Sequence, residues 1–511
     1  MTATVQERLT ARLSSRWVRS GVAALAGAVP ALAFPAPSLW WLAYVALVPW
    51  MLLVRSAPTA RRAALDGWFG GAGFMMAVHH WLLPSLNVFI VVLALILGAL
   101  WAPWGWLVRR LLGAAAGPAQ VASAVVLVPC GWLMVELVRS WQGLGGPWGL
   151  LGASQYEVRP ALRLASVGGV WLVSFLVVLL NTSVTALIAL PRARRPAVGG
   201  LLAAAVLTTG VALWAPRPQQ SGSVRIAVVQ PGVMPDGDSR LDREIALTQQ
   251  LVGTHPDLVV WGESSIGVDL STRADVANRL ASLSSEVGAD LLVNVDAPKA
   301  DGSGISKTSE LVGPLGVTGP TYDKMRLVPF GEYIPMRSLL GWATSVGKAA
   351  DQNRRPGTRQ VVMDAHGLRF APLVCFETAF PDMSRHLAGD GAQVLVAQSS
   401  TSSFQDSWAP AQHASLAALR AAETWRPMVH ATLTGISAVY DADGRPVGHR
   451  VGTRSVAATV YQVPLATGVS PYVRFGDWVP HLALLLVLVA AAYEATRLVR
   501  RPAPALPGQS P

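Results

Sequence analysis

The sequence predicts a multi-span α-helical membrane domain joined to an α/β domain on the extracytoplasmic side, with one further span after it. Three observations carry this. Apolar stretches long enough to cross a bilayer, which takes ~20 residues each, recur through the first 215 positions and once more near the end. Arginines alternate between successive connections. Between Ser221 and Pro471 the composition changes to that of a soluble domain.

The spans read as roughly 21–35, 39–54, 67–83, 88–108, 121–137, 167–190 and 198–214, with an eighth at 478–498. Seven of them fall in a membrane domain over 1–220 and the last in a segment over 472–500. Of the 511 residues 52% are hydrophobic and only 14% charged, and the mean hydropathy is +0.40. Few soluble domains have such values. The first span also has the outline of a signal peptide, with arginines before it and Ala31-Leu32-Ala33 placed like a cleavage site.

Orientation follows from the arginines. With the N-terminus inside, the cytoplasmic segments hold Arg8, Arg12, Arg16 and Arg19, then Arg55, Arg61 and Arg62, then Arg109 and Arg110. Arg192, Arg194 and Arg195 follow, and last Arg497, Arg500 and Arg501. The opposite connections hold few, Arg159 and Arg163 in one of them. The net charge of +11 is therefore a topology signal, and no nucleic-acid partner is needed to explain it.

All four lysines (Lys299, Lys307, Lys324, Lys348) lie within 221–471, with most of the acidic residues. Some 250 residues are ample for one large core. Short β-rich runs recur at 224–230, 258–261, 291–295, 370–374, 394–398, 428–433 and 437–440. Helical stretches at 240–252, 273–287 and 411–424 lie between several of them, which argues for a layered α/β sheet. There is no internal repeat, and the Pro-rich end, 501–511, reads as a disordered tail. Two distant cysteines, Cys130 and Cys375, exclude a disulfide framework and a Cys-based zinc cluster.

Three strings in this domain carry chemistry. Leu258-Val-Val-Trp-Gly-Glu263-Ser264 is a buried strand ending on a carboxylate. Tyr322-Asp-Lys324-Met-Arg-Leu-Val-Pro-Phe-Gly-Glu332-Tyr-Ile-Pro335 carries a lysine and a second carboxylate. Leu373-Val-Cys375-Phe-Glu377 is again an apolar strand ending on a reactive side chain. Polar residues just past strand ends converge at one edge of an α/β sheet.

These strings resemble those of the nitrilase superfamily, and the whole arrangement is similar to its membrane-embedded branch, the apolipoprotein N-acyltransferase family. The similarity covers nearly the whole chain. It includes Gly146-Pro-Trp-Gly and Ala153-Ser-Gln155 in the membrane part and Thr467-Gly-Val-Ser-Pro-Tyr-Val-Arg-Phe-Gly-Asp-Trp478 before the last span. The resemblance implies an extracytoplasmic nitrilase-like αββα sandwich in a bacterial inner membrane, with a catalytic triad at Glu263, Lys324 and Cys375 and a further glutamate at Glu332. It implies a fatty acyl chain taken from a phospholipid as a cysteine thioester and passed to the N-terminal amine of a diacylated apolipoprotein. No cofactor, metal or nucleic acid is expected, and the chain is expected to act as a monomer.

The residue chemistry agrees. A thiol is weakly nucleophilic until deprotonated, and Glu263 can take its proton as general base. Lys324 offers a fixed positive charge to an oxyanion and can depress the thiol pKa; the backbone N–H after Cys375 is a candidate second donor. Glu332 and Glu377 read as supporting residues, either functional or structural hydrogen-bonding groups. Cys130 reads as packing, His79-His80 as interfacial residues, and Glu136 with Arg139 as either a structural ion pair or a head-group contact. An apolar arm at 333–350, with Leu339, Leu340, Trp342 and Val346, is a candidate gate for lipid.

The chain departs from the family pattern in three places. The usual Trp-Pro-Glu-Ser is Trp261-Gly-Glu-Ser264, Cys-Tyr-Glu is Cys375-Phe-Glu377, and Asn-Asp-x-Trp-Phe is replaced by Ser399-Ser-Thr-Ser-Ser-Phe404. Two alternatives share the triad: a membrane-anchored amidase with water as acceptor, and a specialised acyltransferase with a different acceptor.

Overall fold

A computed structural model describes residues 15–334, 337–340 and 353–499. The tail at 501–511 and the greater part of the arm, 341–350, lie outside the described residues.

Five of the described helices are long and apolar enough to cross a membrane: Phe89–Leu112, Pro118–Arg139, Arg159–Ala189, Pro191–Trp214 and Trp478–Arg497. They coincide with five of the eight stretches read from sequence. The other three coincide with helices that are shorter or more polar, at Arg16–Ala28, Val48–Arg55 and Ala60–Val78. The third contains Asp66, fully buried between Arg19 at 2.8 Å and Arg62 at 2.6 Å. A carboxylate out of water is tolerable when it is paired in this way, and both partners belong to the arginines read as cytoplasmic.

The helix Arg159–Ala189 starts eight residues before the predicted span at 167 and is broken at Gly168–Gly169. Gly169 has φ 68°, and a Cβ there would press on the Tyr472 ring. The break frees the Val170 N–H, which donates to Glu423 Oε1 of the α/β domain at 2.7 Å.

Among the described residues that domain contains twelve strands in two six-stranded sheets. They are β1 (Gln219–Gln230), β2 (Leu258–Trp261), β3 (Asp290–Pro298), β4 (Ile305–Gly313), β5 (Gly316–Asp323) and β6 (Met363–Ala365). The rest are β7 (Leu368–Val374), β8 (Val394–Ser399), β9 (Met428–Thr432), β10 (Ser437–Tyr440), β11 (Pro446–Val451) and β12 (Ala457–Thr467). One sheet has the order β12-β1-β2-β3-β4-β5 and the other β11-β10-β9-β8-β7-β6. Side chains alternate across each strand. In β7, Phe370 and Val374 face the other sheet, where Ile226, Val260 and Leu292 meet them. Ala371 and Leu373 face outward into the cluster that continues into the membrane helices.

Helices Gly237–Gln249 and Ala274–Val287 cover the outer face of the first sheet. Pro381–Gly389 and Ala409–Thr424 cover the second, completing the αββα layers. All seven strands read from sequence are present. The others, β4, β5, β6, β11 and β12, are polar, short or exposed on one side, so continuous apolar runs do not mark them.

The sandwich sits on the membrane helices through its second helical layer. Trp81 and Trp148 both donate from Nε1 to Gln412 Oε1, at 3.2 and 2.8 Å. Gln142 donates to the Leu327 carbonyl at 3.1 Å, tying the loop after the helix Pro118–Arg139 to the lysine segment. Glu136 and Arg139 are each 1% exposed. The carboxylate accepts from Trp132 Nε1 and Leu151 N, and the guanidinium donates to the carbonyls of Trp148 and Gly146. Both therefore brace the loop after their helix, a structural role that replaces the ion pair or head-group contact read from sequence. Cys130 is fully buried among apolar side chains.

Candidate active site

Each predicted residue follows a strand end. Glu263 lies two residues beyond β2, Lys324 directly after β5 and Cys375 directly after β7. The first two belong to one sheet and the cysteine to the other, and the face-to-face stacking of the sheets brings them to one place. Glu263 N donates to the Ser399 carbonyl, at the end of β8, at 3.2 Å. A Cβ on Gly262 would collide with the Leu433 backbone. Glycine thus lets the β2 end approach the second sheet closely, which gives the Gly in Trp261-Gly-Glu-Ser264 a physical reason.

Lys324 is 1% exposed. Its Nζ donates to Glu263 Oε1 at 3.0 Å and to Glu332 Oε1 at 2.8 Å. Glu332 is anchored in turn, because Val328 N donates to its Oε2 at 2.8 Å. A second ammonium, not singled out from sequence, joins this cluster: Lys307 of β4 lies 2.8 Å from Glu263 Oε1 and 3.1 Å from Glu332 Oε1. Burial opposes the charged form of Glu263, but Lys307 and Lys324 outweigh it and hold the carboxyl well below the usual range. Glu332 is likewise held low against burial by Lys324 and Lys307. Burial also works against the Lys324 ammonium, and Glu263 and Glu332 overcome it, so the lysine stays charged.

Cys375 has φ 51°, in the left-handed region, as the chain turns from β7 into a short 3-10 helix at Cys375–Ala379. Non-glycine residues adopt this conformation at a cost and chiefly where the surroundings impose it. Its Sγ is 3.8 Å from the Ser400 carbonyl oxygen. Burial pushes the thiol up to about 12, Glu263 adds to the rise, and Lys324 opposes it. Lys324 acts in the direction expected from sequence, yet burial wins. The resting sulfur is a thiol.

Two groups hold the turn that presents it. Glu377 is buried and accepts four hydrogen bonds: Tyr322 Oη at 2.8 Å, Met325 N at 2.7 Å, Arg326 N at 3.0 Å and Val374 N at 2.7 Å. It therefore ties the lysine segment to the cysteine turn and does not reach the ammonium cluster. His413, also absent from the sequence reading, donates from Nε2 to the Cys375 carbonyl at 2.9 Å. Burial lowers its pKa to about 4, so the ring is neutral at neutral pH and serves as a single donor.

The altered segment Ser399–Phe404 lies on top of the site. Ser399 and Ser400 supply the carbonyls that meet Glu263 N and Cys375 Sγ. Phe404 packs edge-on against Trp81 with ring centroids 4.9 Å apart, so this segment also touches the membrane domain. His80 stacks edge-on with Trp408 at 4.4 Å, and Nδ1 of both His79 and His80 faces a backbone carbonyl of the preceding turn.

Comparisons with known proteins divide the chain where the fold does. Residues 225–467, the sandwich, match the carbon-nitrogen hydrolase family. Residues 26–183, the helical part, match the apolipoprotein N-acyltransferase N-terminal domain. A sandwich of this kind fused to membrane helices defines a membrane-embedded enzyme of the carbon-nitrogen hydrolase class.

Over nearly its full length the chain is 31% identical to an apolipoprotein N-acyltransferase of Azotobacter vinelandii, covering 96% of this chain and 98% of the relative. It is 30% identical to the one from Geobacter metallireducens, covering 89% and 91%. The chain belongs to the apolipoprotein N-acyltransferase family. Among solved structures, an amidase from Nesterenkonia sp. matches at 21% identity and a TM-score of 0.35, over 51% of this chain and 95% of the amidase.

Proposed function

We propose that this enzyme moves a fatty acyl chain from a phospholipid to the N-terminal amine of the diacylglyceryl-cysteine of bacterial lipoproteins. Glu263, Lys324 and Cys375 carry the reaction, with Glu332 and Glu377 supporting. The observation that carries this reading is the buried Glu263–Lys324–Glu332 cluster brought to the Cys375 turn, on a sandwich whose helical layer is hydrogen-bonded to the membrane helices.

Glu263 takes the thiol proton as Cys375 attacks the ester carbonyl, and Lys324 stabilises the oxyanion of the tetrahedral adduct. As that negative charge forms, it draws on the Lys324 ammonium. The hold on Glu263 weakens while the proton arrives. Collapse expels the lysophospholipid oxygen, which receives the proton from Glu263, and leaves an acyl thioester. The lipoprotein amine then attacks the thioester carbonyl and gives its proton to Glu263; collapse breaks the C–S bond, and the departing thiolate takes that proton from Glu263, leaving the amide and the restored thiol.

Complementation tests the proposal. A strain depleted of its own apolipoprotein N-acyltransferase is expected to grow when this chain is expressed, with N-acylated lipoprotein N-termini by mass spectrometry. Growth without N-acylation, or neither, would refute it.

The domains proposed are a membrane domain at 1–220, the catalytic sandwich at 221–471 and a final span at 472–500. Eight crossings with the N-terminus inside place the sandwich on the extracytoplasmic side, where exported lipoproteins are met; the arginine alternation supports this. A reporter that works only outside the cytoplasm should be active when fused near Gly222. Activity there of a cytoplasm-only reporter would reverse the orientation.

A further inference from the structure

The reaction proposed above leaves one partly buried ammonium of the cluster, that of Lys307, without a task. We propose that Lys307 is a positioning residue for that reaction, holding Glu263 and Glu332 ion-paired while Lys324 turns to the oxyanion. The inference rests on the proposed function.

The geometry is one of shared oxygens. Lys307 Nζ is 2.8 Å from Glu263 Oε1 and 3.1 Å from Glu332 Oε1, and Lys324 Nζ is 3.0 and 2.8 Å from the same two atoms. Two carboxylates thus face two ammoniums. With Lys324 alone the cluster would carry a surplus negative charge beside a thiol that has to lose a proton. Lys324 has three N–H donors, and two already point at glutamates. When an oxyanion competes for this ammonium, a cluster without Lys307 leaves buried carboxylate underpaired, and such a group takes up a proton. A protonated Glu263 cannot act as base. Lys307 removes that outcome because it stays on the same oxygens.

Lys307 is held for this task. It lies opposite Asp296 across the β3–β4 pair, with Nζ 3.8 Å from the Asp296 carboxylate. Asp296 is itself bound by Arg354 at 3.1 Å. The Lys307 carbonyl accepts the Lys324 N–H at 2.8 Å, so the two lysines are fixed to each other through the backbone as well. Around Glu263 the charged and titratable groups are therefore Lys307 from β4, Asp296 from β3, Lys324 and Glu332 from the segment after β5, Cys375 after β7 and His413 from the helix behind it. Among the described residues, Lys307 and Lys324 are the two cations bonded to its carboxylate.

The test is single-turnover acylation of Cys375 by phosphatidylethanolamine in mixed micelles, read by mass spectrometry across the acidic and neutral range. Wild type, Lys307→Met and Lys307→Arg are compared with the full-length protein. The Met variant is expected to be slower than wild type at its plateau. Its acid limb should move upward by about 1–3 pH units, the usual effect of removing one opposite charge from beside a carboxylate. The Arg variant, which keeps the charge, should keep the wild-type limb. A Met variant whose limb stays in place, at whatever plateau, would overturn the assignment, as a lysine needed only for packing lowers the rate at every pH alike. An Arg variant whose limb moves as far as that of Met would overturn it too. If the Met variant does not fold, Lys307→Gln carries the same reading. Wild type that acylates normally beside an unmoved Met limb refutes this inference alone, whereas wild type that never acylates refutes the proposed function as well.

Discussion

Given phospholipid and no acceptor, the purified enzyme should gain one fatty acyl mass on the peptide that carries Cys375. Two large lipid substrates share one site, and a two-step cycle lets the first product leave before the second substrate enters. The adduct should be labile to neutral hydroxylamine, as thioesters are, and should disappear on addition of a diacylated lipopeptide with a free amine. Cys375→Ser is expected to lose on the order of 10⁴-fold or more, because a carboxylate base forms an alkoxide far less readily than a thiolate. Glu263→Gln should fail to acylate, since its amide accepts no proton from the thiol. The raised thiol pKa makes this dependence steep, as little thiolate is present before the base acts. Normal lipopeptide acylation with no trappable Cys375 adduct under any donor-only condition would refute the thioester route.

Lys324→Arg should be nearly as damaging as Lys324→Ala, with losses of about 10²–10³ in rate. The ammonium is 1% exposed and fits between Glu263 and Glu332 at 3.0 and 2.8 Å. A guanidinium is planar and larger and cannot place one donor at the same point. Measuring acylation rates for both variants, with their thermal midpoints in detergent as a check on folding, decides the matter. Near-normal turnover by the Arg variant would mean that Lys324 supplies only bulk positive charge.

Both variants fall on residues legible in the sequence, and the reason is local. A reactive side chain at the end of an apolar run declares itself within a few residues, as Glu263 does after Leu258–Trp261 and Cys375 after β7. Lys307 does not. It stands in Ile305–Gly313, a strand with serine and threonine on either side and no apolar run to mark it. A hint was present in the scarcity of lysine, since Lys307 is one of only four. His413 sits in the middle of a helix, where a lone histidine reads as packing until its Nε2 is seen on the Cys375 carbonyl. Glu377 was legible as a candidate, but its four donors come from two separate segments, and only they show that it braces and does not reach the lysines.

The sequence by itself determined five helices long and apolar enough to cross a membrane, the sign of the arginine alternation, the layered α/β class and the candidate residues Glu263, Lys324 and Cys375. These depend on hydropathy, charge and short motifs, which are properties of neighbouring residues. Tertiary structure alone decided that Asp66 is buried between two arginines, that the helix over Arg159–Ala189 breaks to give Glu423 a backbone donor, and that two lysines share the same pair of glutamate oxygens. The physical reason is register. Lys307 meets Glu263 only because β3 and β4 pair with Asp296 opposite Lys307 and the chain closes back through β5 to hang Lys324 from the Lys307 carbonyl. A slip of one residue would turn the Lys307 side chain to the opposite face of the sheet. No local pattern of residues encodes that alignment, which the packing of the whole sandwich imposes.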